Sequence, residues 1–242
     1  MIQIIDLHKK FGENHVLRGV SLTVNRGESF ALIGASGKGK SVLLKHLIGL
    51  MKPDKGQVLV DGEDIGQMRG RKLKALKDRF GIVFQFGALF DSLTVYENVA
   101  FPLQEKTKHS AAEIDKIVRR ELANVDLEEA ADNYPAQISG GMRKRVAVAR
   151  CMVMNPEVIL FDEPTTGLDP VISNSIYHMI QNLRNTDNLT SFIISHDIPG
   201  IFKVVDRVAM LHEGKIVASG TAEEIQNSDN PVVRKFLMGE IE

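Results

Sequence analysis

The sequence predicts an α/β fold on three observations. First, strand-length, mostly apolar runs recur at Ser29–Ile33, Phe80–Phe84, Val158–Phe161 and Thr190–Ile194. Their near-continuous hydrophobicity suits strands buried on both faces. Second, stretches of helical period lie between them: Val42, Leu43, Leu44, Leu47, Ile48 and Leu50 after the first run, and Ile172, Ile176, Met179, Ile180 and Leu183 after the third. Third, the chain changes character from residue 86, where helical patterning replaces strand-like alternation after Val99. The expected architecture is an α/β core formed by 1–85 and 157–242, with a small antiparallel β lobe at the front and an inserted helical lobe over 86–156.

The front lobe is expected from short β-like runs at Ile2–Leu7 and Ser21–Val24, with turns at Gly12–Asn14 and Asn25–Gly27. Phe11 lies between the runs, placed either to stack on a purine ring or to fill a core. The next segment, Gly34–Ser41, reads GASGKGKS and fits the pattern of Gly, four residues, then Gly-Lys-Ser. Its glycines allow the backbone N–H groups to converge on an anion, and the helix that follows adds the positive end of its dipole. In such a loop Gly34, Ala35, Ser36, Gly37, Lys38 and Gly39 form the cradle, Lys40 neutralises the outer phosphates and Ser41 offers its hydroxyl to Mg²⁺. A dinucleotide fingerprint fits poorly, because Val42 stands where a third glycine is needed.

A turn at Lys52–Gly56 and a strand at Gln57–Val60 follow, then a basic stretch from Met68 to Arg79. That stretch reads as a solvated helical face or as a surface for anionic headgroups or a partner. Gln85 is a polar residue where a buried strand hands over to a loop. Within the helical region Ser110 and Glu113 form a capping box ahead of Ile114, Ile117, Val118, Leu122 and Val125. Ile138-Ser-Gly-Gly-Met142 opens a helix carrying Met142, Val146, Ala149 and Val153 on one face. Ser139, Gly140 and Gly141 there make either a second anion site or a glycine-rich cap. Cys151 lies within this helix and reads as a small core residue.

Val158–Phe161 runs directly into Asp162 and Glu163. A carboxylate at the end of a buried strand beside a phosphate loop is placed to hold Mg²⁺, and Glu163 is placed to orient a water. Pro164 and the loop Thr165–Leu168 argue against an ordinary helix start, while Asp169 with Pro170 caps the next helix. His196 follows the Thr190–Ile194 strand, on the edge where α/β sheets bind ligands. His8, His15, His46, His109, His178 and His212 read as structural. The end of the chain reads as a hairpin, Val208–Leu211 and Ile216–Ala218, followed by short helices. Asn188-Leu-Thr190 matches a glycosylation acceptor that is irrelevant to a cytoplasmic protein.

Bulk properties narrow the class. The 242 residues carry a net charge of −1, which gives no electrostatic reason to expect nucleic acid. The single cysteine excludes an internal disulfide. Without a secretory leader or an apolar run approaching the roughly 20 residues of a membrane span, the chain is expected in the cytoplasm.

Taken in order, these motifs resemble the ATP-binding cassette family over essentially the whole chain. GASGKGKS resembles its phosphate loop, Gln85 its Q-loop, ISGGM its signature motif, VILFDE its Walker B strand, GLD its D-loop and His196 its switch histidine; Phe11 matches the aromatic that stacks on adenine. The resemblance implies a P-loop NTPase (RecA-like) core with an antiparallel β lobe and an inserted helical lobe, hydrolysing ATP with Mg²⁺. It implies a head-to-tail dimer in which each nucleotide lies between the phosphate loop of one copy and Ser139 and Gly141 of the other. Ser41, Gln85 and Asp162 are then the metal set, and Lys40, Gln85, Glu163 and His196 the catalytic one; Gly140 and Asp169 complete the nucleotide contacts. More narrowly, Phe84–Leu103, Met142 after the signature glycines and the segment RVAVARCMVMNPEVILFDEPTTGLDPV are similar to the cassettes of Mla/Mce-type lipid transport systems. That likeness implies a peripheral protein on the cytoplasmic face of the inner membrane. Its implied partners are an integral membrane permease, an MCE-domain lipid-binding protein and an accessory cytoplasmic subunit. Lys38, where a small or apolar residue is usual, either adds charge near the phosphates or faces solvent, and Ile138 replaces the common Leu.

Two other readings stay open. One is a cassette for another solute, which the permease-facing segment Phe84–Leu103 would distinguish; the other is a permease-free cassette acting on nucleic acid or ribosomes, which usually has two cassettes or a long coiled coil. A nucleotide switch or small-molecule kinase leaves ISGGM unexplained.

Overall fold

The computed structural model describes residues 1–184 and 189–240; Asn188 of the Asn-Leu-Thr triplet lies outside the described residues. In chain order the strands and helices are β1 (Ile2–Phe11), β2 (Asn14–Val24), β3 (Ser29–Ile33), α1 (Lys40–Leu47), β4 (Lys55–Val60), β5 (Glu63–Asp64), α2 (Gly70–Asp78) and β6 (Phe80–Val83). The helices α3 (Val95–Lys106), α4 (Ala111–Asn124) and α5 (Gly140–Met152) follow, then β7 (Val158–Asp162), α6 (Pro170–Arg184), β8 (Thr190–Ser195) and α7 (Ile198–Ile201). The chain continues with β9 (Arg207–His212), β10 (Lys215–Thr221), α8 (Ala222–Gln226) and α9 (Pro231–Leu237).

The strands form two sheets, one antiparallel in the order β2-β1-β4-β5 and one in the order β10-β9-β3-β8-β7-β6. In the second, β9, β3, β8, β7 and β6 pair in parallel and β10 adds an antiparallel edge. Alternate residues of its strands enter opposite cores, as a period of two requires. Phe30, Leu32, Val158, Leu160, Phe192 and Ile194 join the antiparallel sheet and α1. Ala31, Ile33, Ile159, Phe161 and Ile193 face Ile176 and Ile180 of α6. The sheet is covered on both faces, which explains its continuous apolar runs.

A third apolar cluster joins α3, α4 and one side of α5 through Val99, Leu103, Val118, Leu122, Val146, Ala149 and Val153. The opposite side of α5 sends Ala147 and Val148 into the core under the parallel sheet. Helix α5 is thus shared between the two bodies. The capping box predicted for α4 forms, with Ser110 and Glu113 serving each other's backbone N–H groups.

Three local features differ from the sequence reading. Strand β1 continues past Leu7 to Phe11, because Asp6 takes a left-handed φ of +46° and the register shifts between Ile4 and Leu7. This bulge breaks the apolar alternation while pairing continues. Strand β2 correspondingly begins at Asn14 rather than Ser21. Strand β6 ends at Val83, leaving the Phe84 side chain exposed. Helix α2 presents Arg71, Lys72 and Lys74 to solvent, with Lys72 paired to Glu63 at 2.6 Å.

Candidate functional site

The parallel order β3-β8-β7 places three loops side by side at the carboxyl edge of the sheet. Ile33 lies opposite Ser195, and Asp162 opposite Ile194, so the three strands end almost level. From these ends leave the Gly34–Ser41 loop, the Asp162-Glu163 pair and His196. This edge is where parallel α/β sheets collect ligands.

Gly34 takes a φ of +145°, and a Cβ on it would sit 2.2 Å from the carbonyl oxygen of Leu211, so glycine is required where the loop turns off β3. The loop then winds into α1, with Lys40 as the first helical residue. Lys40 is buried, and its Nζ donates to the carbonyls of Gly34 at 2.7 Å and Ala35 at 3.0 Å. Burial lowers its pKa, partly offset by the nearby negative charges of Glu163 and Asp162. The Ser41 hydroxyl lies 3.4 Å from Asp162 Oδ1. Burial first, and then the neighbouring Glu163, raise the Asp162 pKa.

Glu163 is the centre of the cluster. Its carboxylate meets His196 Nδ1 at 2.8 Å, Thr166 Oγ1 at 2.8 Å and Lys40 Nζ at 3.8 Å. Its backbone is left-handed, with φ +52°, a conformation that costs a non-glycine residue of order 1–3 kcal/mol and persists only where the surroundings impose it. The Glu163 N–H donates to Ile194 O at 2.9 Å, and its own carbonyl accepts from Lys144 Nζ at 3.4 Å. His196 is half-exposed and lies between two open cavities of about 510 Å³ each. One is bordered by Gly34, Ala35 and Ser36, the other by Thr165–Leu168 and Ser173.

The structure therefore gathers Lys40, Ser41, Asp162, Glu163 and His196, and places Gln85 beside them through its backbone, whose carbonyl accepts from Lys144 Nζ. Gly34 and Ala35 adjoin the cluster through the carbonyls that accept from Lys40. Phe11 sits at the tip of the β1–β2 hairpin, 45% exposed, with Lys9 Nζ 5.7 Å from its ring. On the same hairpin Val16 lies against Gly39, where a glycine Cβ would meet its Cγ1 at 3.0 Å. Lys38 is exposed beside Gly37 on the rim of a groove that also includes Asn14 and Val16. Ser139 is exposed and caps α5, its Oγ accepting from Met142 N at 3.2 Å. Gly140 abuts the loop after Glu163 and Gly141 the start of α6: a Cβ on Gly140 would lie 3.3 Å from Leu168 Cδ2, and one on Gly141 2.5 Å from Ile172 Cγ2. Asp169 caps α6 through Val171 N and Ile172 N, each at 3.0 Å. Cys151 is packed inward, with burial raising its thiol pKa to about 11 and its Sγ 3.0 Å from Ile82 O.

Sequence reasoning missed Thr166, Lys144 and Tyr177. The Tyr177 hydroxyl links Thr165 Oγ1 at 3.2 Å to Ser195 Oγ at 3.4 Å, joining the loop after Glu163 to the end of β8. Burial pushes its pKa up to about 12. Lys144 falls in the run Arg143-Lys144-Arg145, which reads as a solvated charge cluster until the fold turns Lys144 inward.

Among the described residues no three His, Cys, Asp or Glu side chains are grouped to hold a metal by themselves. The oxygen donors at hand are Ser41 and Asp162. Two hard protein oxygens beside a phosphate loop suit a small cation that keeps most of its coordination for water and substrate phosphates.

The chain is similar to known proteins over most of its length. The family model described as ABC transporter matches residues 17–166. A probable ribonucleotide transport ATP-binding protein, mkl, of Mycobacterium tuberculosis (strain ATCC 25618 / H37Rv) is 42% identical over 98% of this chain, which spans 66% of that protein's length, just under two thirds. The intermembrane phospholipid transport system ATP-binding protein MlaF of Haemophilus influenzae is 38% identical over 99% of this chain and 91% of its own. Among solved structures, the dimeric ATP-binding cassette MJ0796 bound to ADP and Pi in a post-hydrolysis state superposes with a TM-score of 0.83. It is 32% identical and covers 92% of this chain and 99% of its own. With the family model spanning more than half of its length and the cassette fold reproduced, the chain belongs to the ABC transporter family.

Proposed function

We propose that this chain is the ATP-hydrolysing subunit of a transporter that moves phospholipid between the inner and outer membranes through a partner permease. The observation that carries the ATPase reading is the Glu163 carboxylate, held 2.8 Å from His196 and 3.8 Å from Lys40 at the end of β7. Phosphoryl transfer to water needs positioning and charge neutralisation more than covalent help. The N–H groups from Gly34 to Ser41, including those of Ala35, Ser36, Gly37, Lys38, Gly39 and Lys40, cradle the phosphates, and Lys40 neutralises the outer ones. Phe11 stacks on the adenine. Ser41, Asp162 and Gln85 would hold Mg²⁺, which would supply positive charge to offset that of the phosphates. Glu163 aligns the attacking water and accepts its proton, while His196 holds the γ-phosphate.

Residues 86–156 are a helical lobe that carries the signature residues to a second copy of the chain. Ser139, Gly140, Gly141 and Asp169 then complete the partner's nucleotide site, so ATP joins two copies and hydrolysis releases them. The lipid assignment is supported by near full-length similarity to MlaF and by Met142 after the signature glycines. It brings an MCE-domain protein and an accessory cytoplasmic subunit as further partners, on the cytoplasmic face of the inner membrane. Among the described residues no helix is long and apolar enough to cross a membrane.

Glu163→Gln is expected to bind ATP with near wild-type affinity and to lower kcat by about 10²-fold or more. Steady-state hydrolysis beside equilibrium nucleotide binding checks this; wild-type-like turnover removes Glu163 from the catalytic role. The transport reading is tested by purifying the subunit from detergent-solubilised membranes and identifying its companions by mass spectrometry. A multi-pass permease with an MCE-domain protein and bound phospholipid is expected, whereas a solute-binding protein in place of the MCE protein rejects the lipid assignment.

A further inference from the structure

Two cationic side chains of helix α5 reach backbone carbonyls of loops that its own sequence does not adjoin. Arg150 donates to Gly87 O at 2.7 Å and to Ala88 O at 2.8 Å. One and a half turns earlier, Lys144 donates to Gln85 O and, at 3.4 Å, to Glu163 O. Lys144 is only 6% exposed, and burial lowers its pKa against the opposing pull of Glu163 and Asp162. A buried ammonium is retained at a cost, so its contacts have to be made well. Both acceptors matter: Gln85 lies in the loop after β6, and Glu163 is the residue held at a left-handed φ of +52°.

We propose that Lys144 is a positioning residue for hydrolysis: by binding the carbonyls of Gln85 and Glu163 from α5, it ties the alignment of the Glu163 carboxylate to the seat of the helix that Ser139 caps. The inference rests on the ATPase reading above. The geometry supplies its parts: α5 packs Val146 and Ala149 into the helical cluster but Ala147 and Val148 into the core, so the helix touches both bodies. Ser139 at its exposed end and Lys144 at its buried side lie five residues apart on one rigid element. A shift of α5 when a second copy engages Ser139 is thereby felt at the Glu163 backbone, where the unusual φ depends on the contacts around it.

The test is steady-state hydrolysis of Mg-ATP and equilibrium binding of a fluorescent ATP analogue by the purified chain, compared across Lys144 variants. Lys144→Met is expected to lower kcat at least about tenfold, with KM and nucleotide affinity within about threefold of wild type. Lys144→Arg, which keeps the charge and two donors, is expected to retain at least about a third of wild-type kcat. In a Glu163→Gln background Lys144→Met is expected to remove less than about twofold of the residual rate, because its effect passes through Glu163. Should Lys144→Met lack a cooperative melting transition, Lys144→Gln takes its place with the same expectations, being one bond too short to reach both carbonyls. A kcat within twofold of wild type, a KM that rises at constant kcat, or a full additional loss in the Glu163→Gln background each overturns the proposal. A wild-type protein that neither binds nor hydrolyses ATP overturns the ATPase reading itself.

Discussion

At the scale of single residues, the candidate cluster at the sheet edge owes its arrangement to charges held out of water. Lys40, Asp162 and Glu163 share a partly desolvated site in which each opposite charge offsets another's burial. Much of this was readable in advance: the Gly-Lys-Ser spacing fixes Lys40 and Ser41, and strand ends fix Asp162 and His196, because local sequence dictates where those side chains sit. Lys144 and Tyr177 were not readable, since only tertiary packing turns one member of a basic run, or one tyrosine of α6, inward. His46 is a residue whose role as a structural histidine leads to a pH dependence. It is 1% exposed, and its Nδ1 lies 2.7 Å from Val42 O. Burial lowers its pKa below the ordinary value of 6.5, partly countered by that hydrogen bond. The unfolded chain therefore takes up the proton before the folded one does, and stability falls as pH drops through about 6.5 toward the lower folded value. The urea midpoint of the wild type is expected to fall between about pH 7.5 and about pH 5.5, more steeply than that of His46→Asn, which keeps a donor for Val42 O but does not titrate. Equal slopes for the two proteins would show that His46 is not the group responsible.

At the scale of elements, helix ends were the most legible features and strand limits the least. The Ser110–Glu113 box and the Asp169 cap lie within three residues of sequence, so their hydrogen bonds are decided locally. The length of β1 is decided by pairing with β2 and β4 across a bulge, which no apolar pattern in Lys9 and Lys10 announces. The helical lobe depends on a small cluster of its own, in which Leu122 and Val118 are fully buried between α3, α4 and α5. Leu122→Ala is expected to cost about 2–5 kcal/mol of stability, the usual range for emptying a buried leucine site. Because the cluster is largely separate from the core beneath β7 and β8, the loss is expected to fall on the lobe. Hydrogen exchange should then quicken in α3 and α4 while β3, β7 and β8 keep their protection. Uniform quickening across the chain would mean that the lobe and core unfold as one.

At the scale of the molecule, the proposed dimer gives the site within one chain half of a task. Lys40, Ser41, Asp162, Glu163 and His196 converge at one sheet edge, while Ser139 stands exposed at the end of α5 as its cap. The Gly34–Ser41 spacing announces an anion site, whereas Ser139-Gly-Gly141 reads either as a second anion site or as a glycine-rich cap, and only the family resemblance implies that it serves a second copy. The exposure of Ser139 fits a design in which it serves a second copy, and an aspartate at that position tests it cleanly. Aspartate is as good a helix cap as serine and suits the positive end of α5, so the fold should be kept. Its charge, however, would face the γ-phosphate across the interface, and like charges placed together cost several kcal/mol. In a Glu163→Gln background, where ATP is held rather than cleaved, the chain with Mg-ATP is expected to run as a dimer by light scattering. Adding Ser139→Asp should return it to monomers with the same melting temperature and with nucleotide affinity within about twofold. If the added aspartate instead weakens ATP binding by the monomer itself, Ser139 reaches the nucleotide of its own chain and the head-to-tail arrangement is wrong.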